Sequence, residues 1–545
     1  MKLESFFENF ELLTDAPNAG EKLREIILQL APQGKLVPQN PNHEPASILF
    51  QKIDAKRKKL INEGKLKEIK LPIITQSDSP YPLPSGWEWV RLGNVVTFIG
   101  GSQPPKSKFV FEEREGYTRL IQIRDYKTDN FKTYVPNEFV NRPCNEEDVM
   151  IGRYGPPVFQ ILRGLTGTYN VALMKAEPIE SSVTRDYLFY LLQEPRIQKV
   201  VVYESERTAG QTGVRKELLN SFIVGLPPLV EQSLIVAKVK KLTVLCDEIE
   251  KRQQQRQESI VRMNENAIAQ LLSSQNPDDF RHHWQRICNN FDLLYSIPET
   301  IPKLRQAILL LAVQGKLVRQ DPNDEPSSFL LDRIKAEKQA SRLPLFSINS
   351  EDYPYKAPQG WDWAHFSEVA TIASNLVKPE LYPDFAHIAP DNIEKETGKL
   401  LPYRTVSEDE VRSANHRFYS GQILYSKIRP NLAKVVIVNF DGLCSADMYP
   451  INAHIYPEYL LKYMLSPIFL SMAVRTDTRV AMPKINQTEL NKILVAVPPL
   501  AEQKRIVEKC DRLMSLCDTL EAKLKQGRDS SEKLMEVAAK QVLAS

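Results

Sequence analysis

The chain has 545 residues, 42% of them apolar and 26% charged, with a formal net charge of +3. That is a globular composition with material for several cores, and its near-balanced charge excludes a simple polycation. The longest unbroken apolar run, 307–313, is far too short for a membrane span. Six cysteines without a CxxC pair exclude a zinc ribbon and suggest reduced thiols in a cytosol.

In chain order, residues 1–76 read as a helical segment, followed by a Pro-rich break (SDSPYPLPSG, 77–86). A block over 87–225 carries β-branched and aromatic runs broken by Gly and Pro. It reads as an α/β or α+β domain with one helical stretch at 186–201. Pro227 and Pro228 suit a helix start, and residues 226–275 read as one long helix. Its apolar residues are Ile235, Val239, Leu242, Leu245 and Ile249, then Ile260, Met263, Ala267 and Leu271, at the three–four spacing of a coiled-coil seam. A polar stretch at 250–258 interrupts the seam but not the helix.

The same plan then recurs: a helical segment at 291–345, a block at 361–496 with a helical stretch at 457–474, and a second long helix at 497–545. In that helix Ile506, Cys510, Leu513, Leu516, Leu520 and Leu524 continue the pattern, and Gly527 is expected to interrupt or end it. Cys246 and Cys517 occupy matching positions and read as core residues.

The recurrence is a duplication. KLREIILQLAPQGKLVPQNPNHEPAS is echoed by KLRQAILLLAVQGKLVRQDPNDEPSS, SGWEWVRLG by QGWDWAHFS, and LPPLVEQ by VPPLAEQ, in the same order. Four of the five tryptophans, Trp87, Trp89, Trp361 and Trp363, lie in the second echo. Between the echoes, 95–215 and 369–485 show no sustained alignment. The frame is kept and its contents diverge, which suits a device holding two different reading heads in equivalent places. The two long amphipathic helices are natural partners, and an antiparallel pairing would relate the halves by an approximate two-fold axis.

Catalytic signatures are missing. Every Gly-Lys is followed by Leu rather than the Ser/Thr of a phosphate-binding loop, and there is no GxGxxG, HExxH or GxSxG.

PPLxEQ opening a long helix, GKL after LRQAILLLAVQ, and GW-W opening a divergent block together resemble the DNA-specificity subunit of type I restriction–modification systems. IGRYGPPV followed by GTYNVALMK, and ILYSKIRPNLAKV followed by GLCSADMYP, resemble the core of that family's target-recognition domains. The resemblance implies a cytoplasmic, non-catalytic subunit that reads a bipartite, asymmetric site in double-stranded DNA through two target-recognition domains. It implies two methyltransferase subunits and a restriction/translocase subunit as partners, and no membrane. It also implies that S-adenosylmethionine, ATP and magnesium are held by those partners, this chain binding no cofactor or metal.

Base and phosphate readers are expected on loops. The candidates in the first head are Gln103, Lys106, Lys108, Arg153, Tyr154, Gln211, Thr212, Arg215 and Lys216. Those in the second are Asn375, Lys378, Lys427, Arg429, Asn431, Arg479 and Lys484. Leu229, Glu231, Gln232, Leu500, Glu502 and Gln503, which open the long helices, are expected to dock a methyltransferase or to serve helix capping and internal packing. The rival reading is a non-enzymatic coiled-coil interaction scaffold without DNA specificity.

Overall fold

The computed structural model describes residues 13–180, 183–206, 213–274, 276–338, 353–475 and 483–544. The chain forms two compact units. Unit 1 runs to Gln255 and regains the chain from Arg528 onward; unit 2 is Arg256–Gly527. The chain therefore leaves unit 1 within the first long helix, Leu229–Leu272, and returns within the second, Leu500–Ala544. At about 1.5 Å per residue each helix is about 66 Å long.

Each unit is built on the same frame. In unit 1, helix Ala19–Leu30 is followed by a turn that closes at Gly34, whose φ of +69° favours glycine. A Cβ there would also lie 2.4 Å from Pro84 and 3.1 Å from the Trp87 ring. In unit 2, helix Ile301–Val313 ends at Gly315 (φ +68°), packed under Pro358 and Trp361 in the same way. Tyr81 donates its hydroxyl to the Pro32 carbonyl, and Tyr355 donates to that of Val313. Arg24 binds Asp247 and Glu250 of the first long helix; Arg305 binds Asp518 and Glu521 of the second. The echoed GKL, GW and CDxxE phrases are thus parts of one packing motif used twice.

The variable block enters and leaves its frame through paired strands. Strand β1 (Glu88–Arg91) pairs antiparallel with β10 (Ile223–Leu226), and β11 (Asp362–His365) pairs with β21 (Leu494–Val497). Both ends of each head are therefore fixed side by side.

Within the first head lie β2 (Val96–Gly100), β3 (Tyr117–Ile121), β4 (Tyr134–Pro136), β5 (Pro143–Cys144), β6 (Val149–Gly152), β7 (Ile161–Leu162), β8 (Gly167–Tyr169) and β9 (Leu173–Pro178). They form two sheets, β2-β9-β6-β7 and β4-β3-β8-β5. The second head comprises β12 (Ala370–Ile372), β13 (Leu376–Val377), β14 (Ala386–Ile388), β15 (Arg404–Thr405), β16 (Asn415–Phe418), β17 (Ile423–Ser426), β18 (Val435–Ile437), β19 (Gly442–Cys444) and β20 (Met448–Ala453). Its sheets are β12-β20-β17-β18 and β13-β16-β19-β14-β15. The central pair is parallel in both second sheets, β3 with β8 and β14 with β19. Apart from the extra edge strand β13, the orders are the same, although the sequences are not alignable.

Four expectations are corrected. The helical stretch at 186–201 is two helices, Arg185–Leu191 and Pro195–Glu206, and that at 457–474 is Pro457–Leu465 and Pro467–Arg475. Pro195 and Pro467 cause the breaks, because proline lacks the N–H and disfavours helical geometry in the preceding residue. Gly527 does not end the second long helix; Met535, Ala538, Ala539 and Val542 beyond it are buried against Leu13, Ala16, Ala19 and Ile26 in unit 1. That packing outweighs the roughly 1 kcal/mol cost of an interior glycine. The buried stripe takes Cys246 and Cys517, not Leu245 and Leu516, which are exposed. A stripe packed on a globular body follows the 3.6-residue period, which reaches the cysteines one position later. A further helix, Pro277–Asn289, escaped the sequence reading despite its signal: Asn276 accepts a hydrogen bond from the Asp279 N–H at 2.8 Å, with proline in the first turn.

Candidate nucleic-acid interface

In the first head the expected loops meet. The Val214 N–H donates to the Arg153 carbonyl at 3.1 Å, and Arg153 N–H donates to that of Ala172. Tyr154 packs over Gly213, and the Arg153 guanidinium lies 5.0 Å from the Tyr154 ring centre. A Cβ on Gly100, at the end of β2, would lie 3.7 Å from the Lys216 ammonium. Arg142, which the sequence reading missed, donates from Nε to the Gly100 carbonyl at 3.1 Å. Arg142, Arg153 and Lys216 therefore surround the end of β2. Among the described residues, no carboxylate lies within ion-pair distance of any of the three, and the buried Arg153 Nε has no acceptor.

Burial, followed by the repulsion of Arg153, lowers the Lys216 pKa; Glu217 opposes both. Such a cluster favours a ligand rich in acceptor atoms, as phosphates and guanine edges are. Gln103, Lys106 and Lys108 are exposed on the neighbouring loop, with Lys108 over the Phe139 ring at 5.9 Å. Arg215 instead points to Glu204 at 3.4 Å. Gln211 and Thr212 lie outside the described residues.

The second head brings its loops together with different chemistry. The Ile485 N–H donates to the Lys427 carbonyl at 2.9 Å, and Arg429 N–H to that of Pro483 at 2.8 Å. Lys427 and Lys484 share Asp447 at 3.6 and 3.2 Å, so one carboxylate offsets part of their charge. Arg429 is held at φ +48°, a left-handed conformation that costs a non-glycine residue roughly 1–2 kcal/mol and that places its side chain on the loop surface. Asn375 donates its N–H to buried His416, while Lys378 and Asn431 are exposed on adjoining turns. Gln487, also missed, donates from its amide to the Ser374 hydroxyl at 2.7 Å. Its signal was available, since extending the last sequence echo backward places Gln487 opposite Lys216. Arg479 lies outside the described residues.

The residues opening the long helices divide by burial. Glu231 and Glu502 are 1% exposed and accept the indole N–H of Trp87 and Trp361 at 2.7 and 2.9 Å. Gln232 is fully buried; it accepts the Thr184 N–H and donates to the Pro227 carbonyl. Gln503 does the same with Tyr456 and Pro498. These four side chains serve internal packing, which corrects the docking expectation for them: all four are buried and hydrogen-bonded inside their own unit, although one Glu502 carboxylate oxygen has no partner there. Leu229 and Leu500 are 40% and 38% exposed, and the docking expectation rests on them.

Among the described residues, no helix is long and apolar enough to cross a membrane, and no cluster of His, Cys, Asp or Glu could hold a metal. Two heads of one topology, held on identical frames and presenting unlike polar loops, define a double-headed recognition protein. The family model of the type I restriction modification DNA specificity domain matches residues 84–258 and 379–527. The type I restriction enzyme EcoDI specificity subunit of Escherichia coli is 35% identical over 362 residues, covering 66% of this chain and 69% of that protein. The EcoEI specificity subunit of the same organism is 28% identical over 563 residues, covering 94% and 91%. A chain from a solved structure concerning assembly and conformational transition of the type I R-M system shares this fold. It has a TM-score of 0.50 and 16% identity, over 85% of this chain and 99% of that one. The chain belongs to the family of DNA-specificity subunits of type I restriction–modification systems, and its role is DNA recognition.

Proposed function

We propose that each head reads one half of a bipartite, asymmetric site in double-stranded DNA, and that the chain holds catalytic subunits without doing chemistry itself. The carrying observation is the pair of loop clusters, Arg142–Arg153–Lys216 and Asn375–Lys427–Gln487, displayed by heads of equal topology and unlike sequence. Phosphate contacts position such heads and base-edge contacts give them sequence preference. The exposed candidates Gln103, Lys106, Lys108, Tyr154 and Arg215 in one head, and Lys378, Arg429 and Asn431 with the half-buried Lys484 in the other, extend the two surfaces.

Leu229 and Leu500, equivalent and exposed, are the proposed docking points for two methyltransferase subunits, with a restriction/translocase subunit joining the complex. S-adenosylmethionine, ATP and magnesium belong to those partners in this reading, and the complex works in the cytoplasm. Co-expression with candidate methyltransferase subunits, followed by sequencing of methylated adenines, tests the proposal. A split motif with two unlike halves is expected; binding without DNA preference would favour a scaffold instead.

A further inference from the structure

A few shared backbone anchors match particular residues of the two heads without any sequence alignment. Val214 N–H to Arg153 carbonyl in one head is Ile485 N–H to Lys427 carbonyl in the other. Cys144 sits opposite Gly167, and Phe418 opposite Gly442; a Cβ on either glycine would meet a strand carbonyl, that of Arg119 or of Ala386. These anchors place Arg153 with Lys427, Arg142 with His416, and Lys216 with Gln487.

A separate contact fixes the last pair. Lys216 approaches Gly100 at the end of β2, and Gln487 binds Ser374 just beyond β12, the equivalent strand. Lys216 and Gln487 both open short helices, Lys216–Ser221 and Gln487–Lys492, two residues after the buried Val214 and Ile485.

We propose that Lys216 and Gln487 are equivalent specificity-determining residues, Lys216 reading guanine in one half-site and Gln487 reading adenine in the other. The inference rests on the DNA-reading function proposed above and assigns the base class at one position of each head. A lysine ammonium donates to the O6 and N7 acceptors of guanine, while a glutamine amide matches the N6 donor and N7 acceptor of adenine. Ser374 takes one amide N–H of Gln487 and orients the group, leaving its oxygen and the other N–H for the base. Lys216 lies beside Arg142 and Arg153 and, among the described residues, is ion-paired to no carboxylate, Glu217 acting on it only at longer range, so an acceptor-rich base edge is the complementary ligand.

The experiment exchanges the two residues. Complexes carrying Lys216→Gln, Gln487→Lys or both are co-expressed with the methyltransferase subunits, and the methylated motifs are compared with wild type. Purified complexes are also assayed for competition by oligonucleotides substituted at each half-site position, with Lys216→Arg as a folded, guanine-competent control. Lys216→Gln is expected to reduce preference for guanine at one position by roughly 5- to 150-fold. Gln487→Lys is expected to do the same to adenine in the other half, each leaving the opposite half unchanged. An unaltered motif, or a loss equal for every base and relieved by lowering salt, would overturn the assignment in favour of backbone contact alone. Failure of wild type to give any split motif would instead defeat the underlying DNA-reading proposal.

Discussion

Trp87 donates its indole N–H to the buried Glu231 carboxylate at 2.7 Å, joining the first residue of the first head to the start of the long helix 144 residues later. Trp361 and Glu502 repeat the bond at 2.9 Å across 141 residues. The outer carboxylate partners differ. In unit 1, His43 Nδ1 contacts Glu231 at 3.2 Å; in unit 2, the matching Asp324 pairs with Arg505. Each bond closes a frame whose entry and exit strands are already paired, so a head can diverge without disturbing its supports.

The clasp is expected to contribute measurably to stability. Trp87→Phe leaves a buried carboxylate short of a donor and should destabilise unit 1 by about 1–3 kcal/mol. Adding Glu231→Gln to Trp87→Phe should cost less than the sum of the single changes. Denaturant unfolding of the four proteins of the cycle measures the coupling, and strict additivity would show that the bond carries no energy.

Burial raises the Glu502 carboxyl above its ordinary value of 4.5, partly opposed by the Trp361 N–H and by Arg505. A carboxyl raised in the folded state contributes stability below the unfolded value and loses it as pH rises through the folded one. Glu502→Gln, which keeps an acceptor for Trp361, should therefore gain stability relative to wild type as pH rises above about 4.5. Thermal melts of both proteins across that range test this; a constant difference would refute it.

Thiol reactivity should follow burial. Cys288 is the exposed cysteine, whereas Cys144, Cys246, Cys444, Cys510 and Cys517 are buried. Burial pushes Cys144 to about 11 and Cys444 and Cys510 to about 12, keeping them as unreactive thiols. Alkylation of the native chain at neutral pH should modify Cys288 rapidly and the other five only on unfolding, as read by mass spectrometry.

Nothing lies within 4 Å of a Cβ placed on Gly527, and its backbone is helical. Gly527→Ala should raise stability by about 0.5–1 kcal/mol by removing unfolded-state freedom. A fall in the unfolding midpoint would mean that the helix bends or opens there.

If the long helices set the half-site spacing, lengthening both should lengthen the unspecified spacer. The polar stretch 250–258 is only partly suited to insertion, because Glu250 binds Arg24 and Gln253 donates to the Thr14 and Ala16 carbonyls. Four residues added after Gln255, with four more beside Gly527, spare those contacts. Each helix grows by about 6 Å, slightly under two base pairs of B-DNA. Methylome sequencing should show the same half-sites with a spacer one or two base pairs longer; an unchanged spacer in an active variant would exclude the ruler.

The duplication, the two long helices and the separation of shared frame from variable head were legible in the sequence, because repeats and helical periodicity are local properties of the chain. The candidate loops were legible too, as Gly-, Pro- and Lys/Arg-rich stretches between β runs. The joining of Trp87 to Glu231 was not, nor was the place of Arg142 and His416 among the candidates, since neither spacing nor composition records which distant strands pair; Gln487 alone was within reach, through the last echo extended backward to Lys216. Sheet order decided which loops meet, and the globular surface under each long helix decided that Leu245 and Leu516, expected in the seam, face out beside the buried Cys246 and Cys517. The common topology of two unalignable heads has the same origin: strand pairing uses the backbone, which every sequence carries, so the sheets persist while the side chains on their loops change.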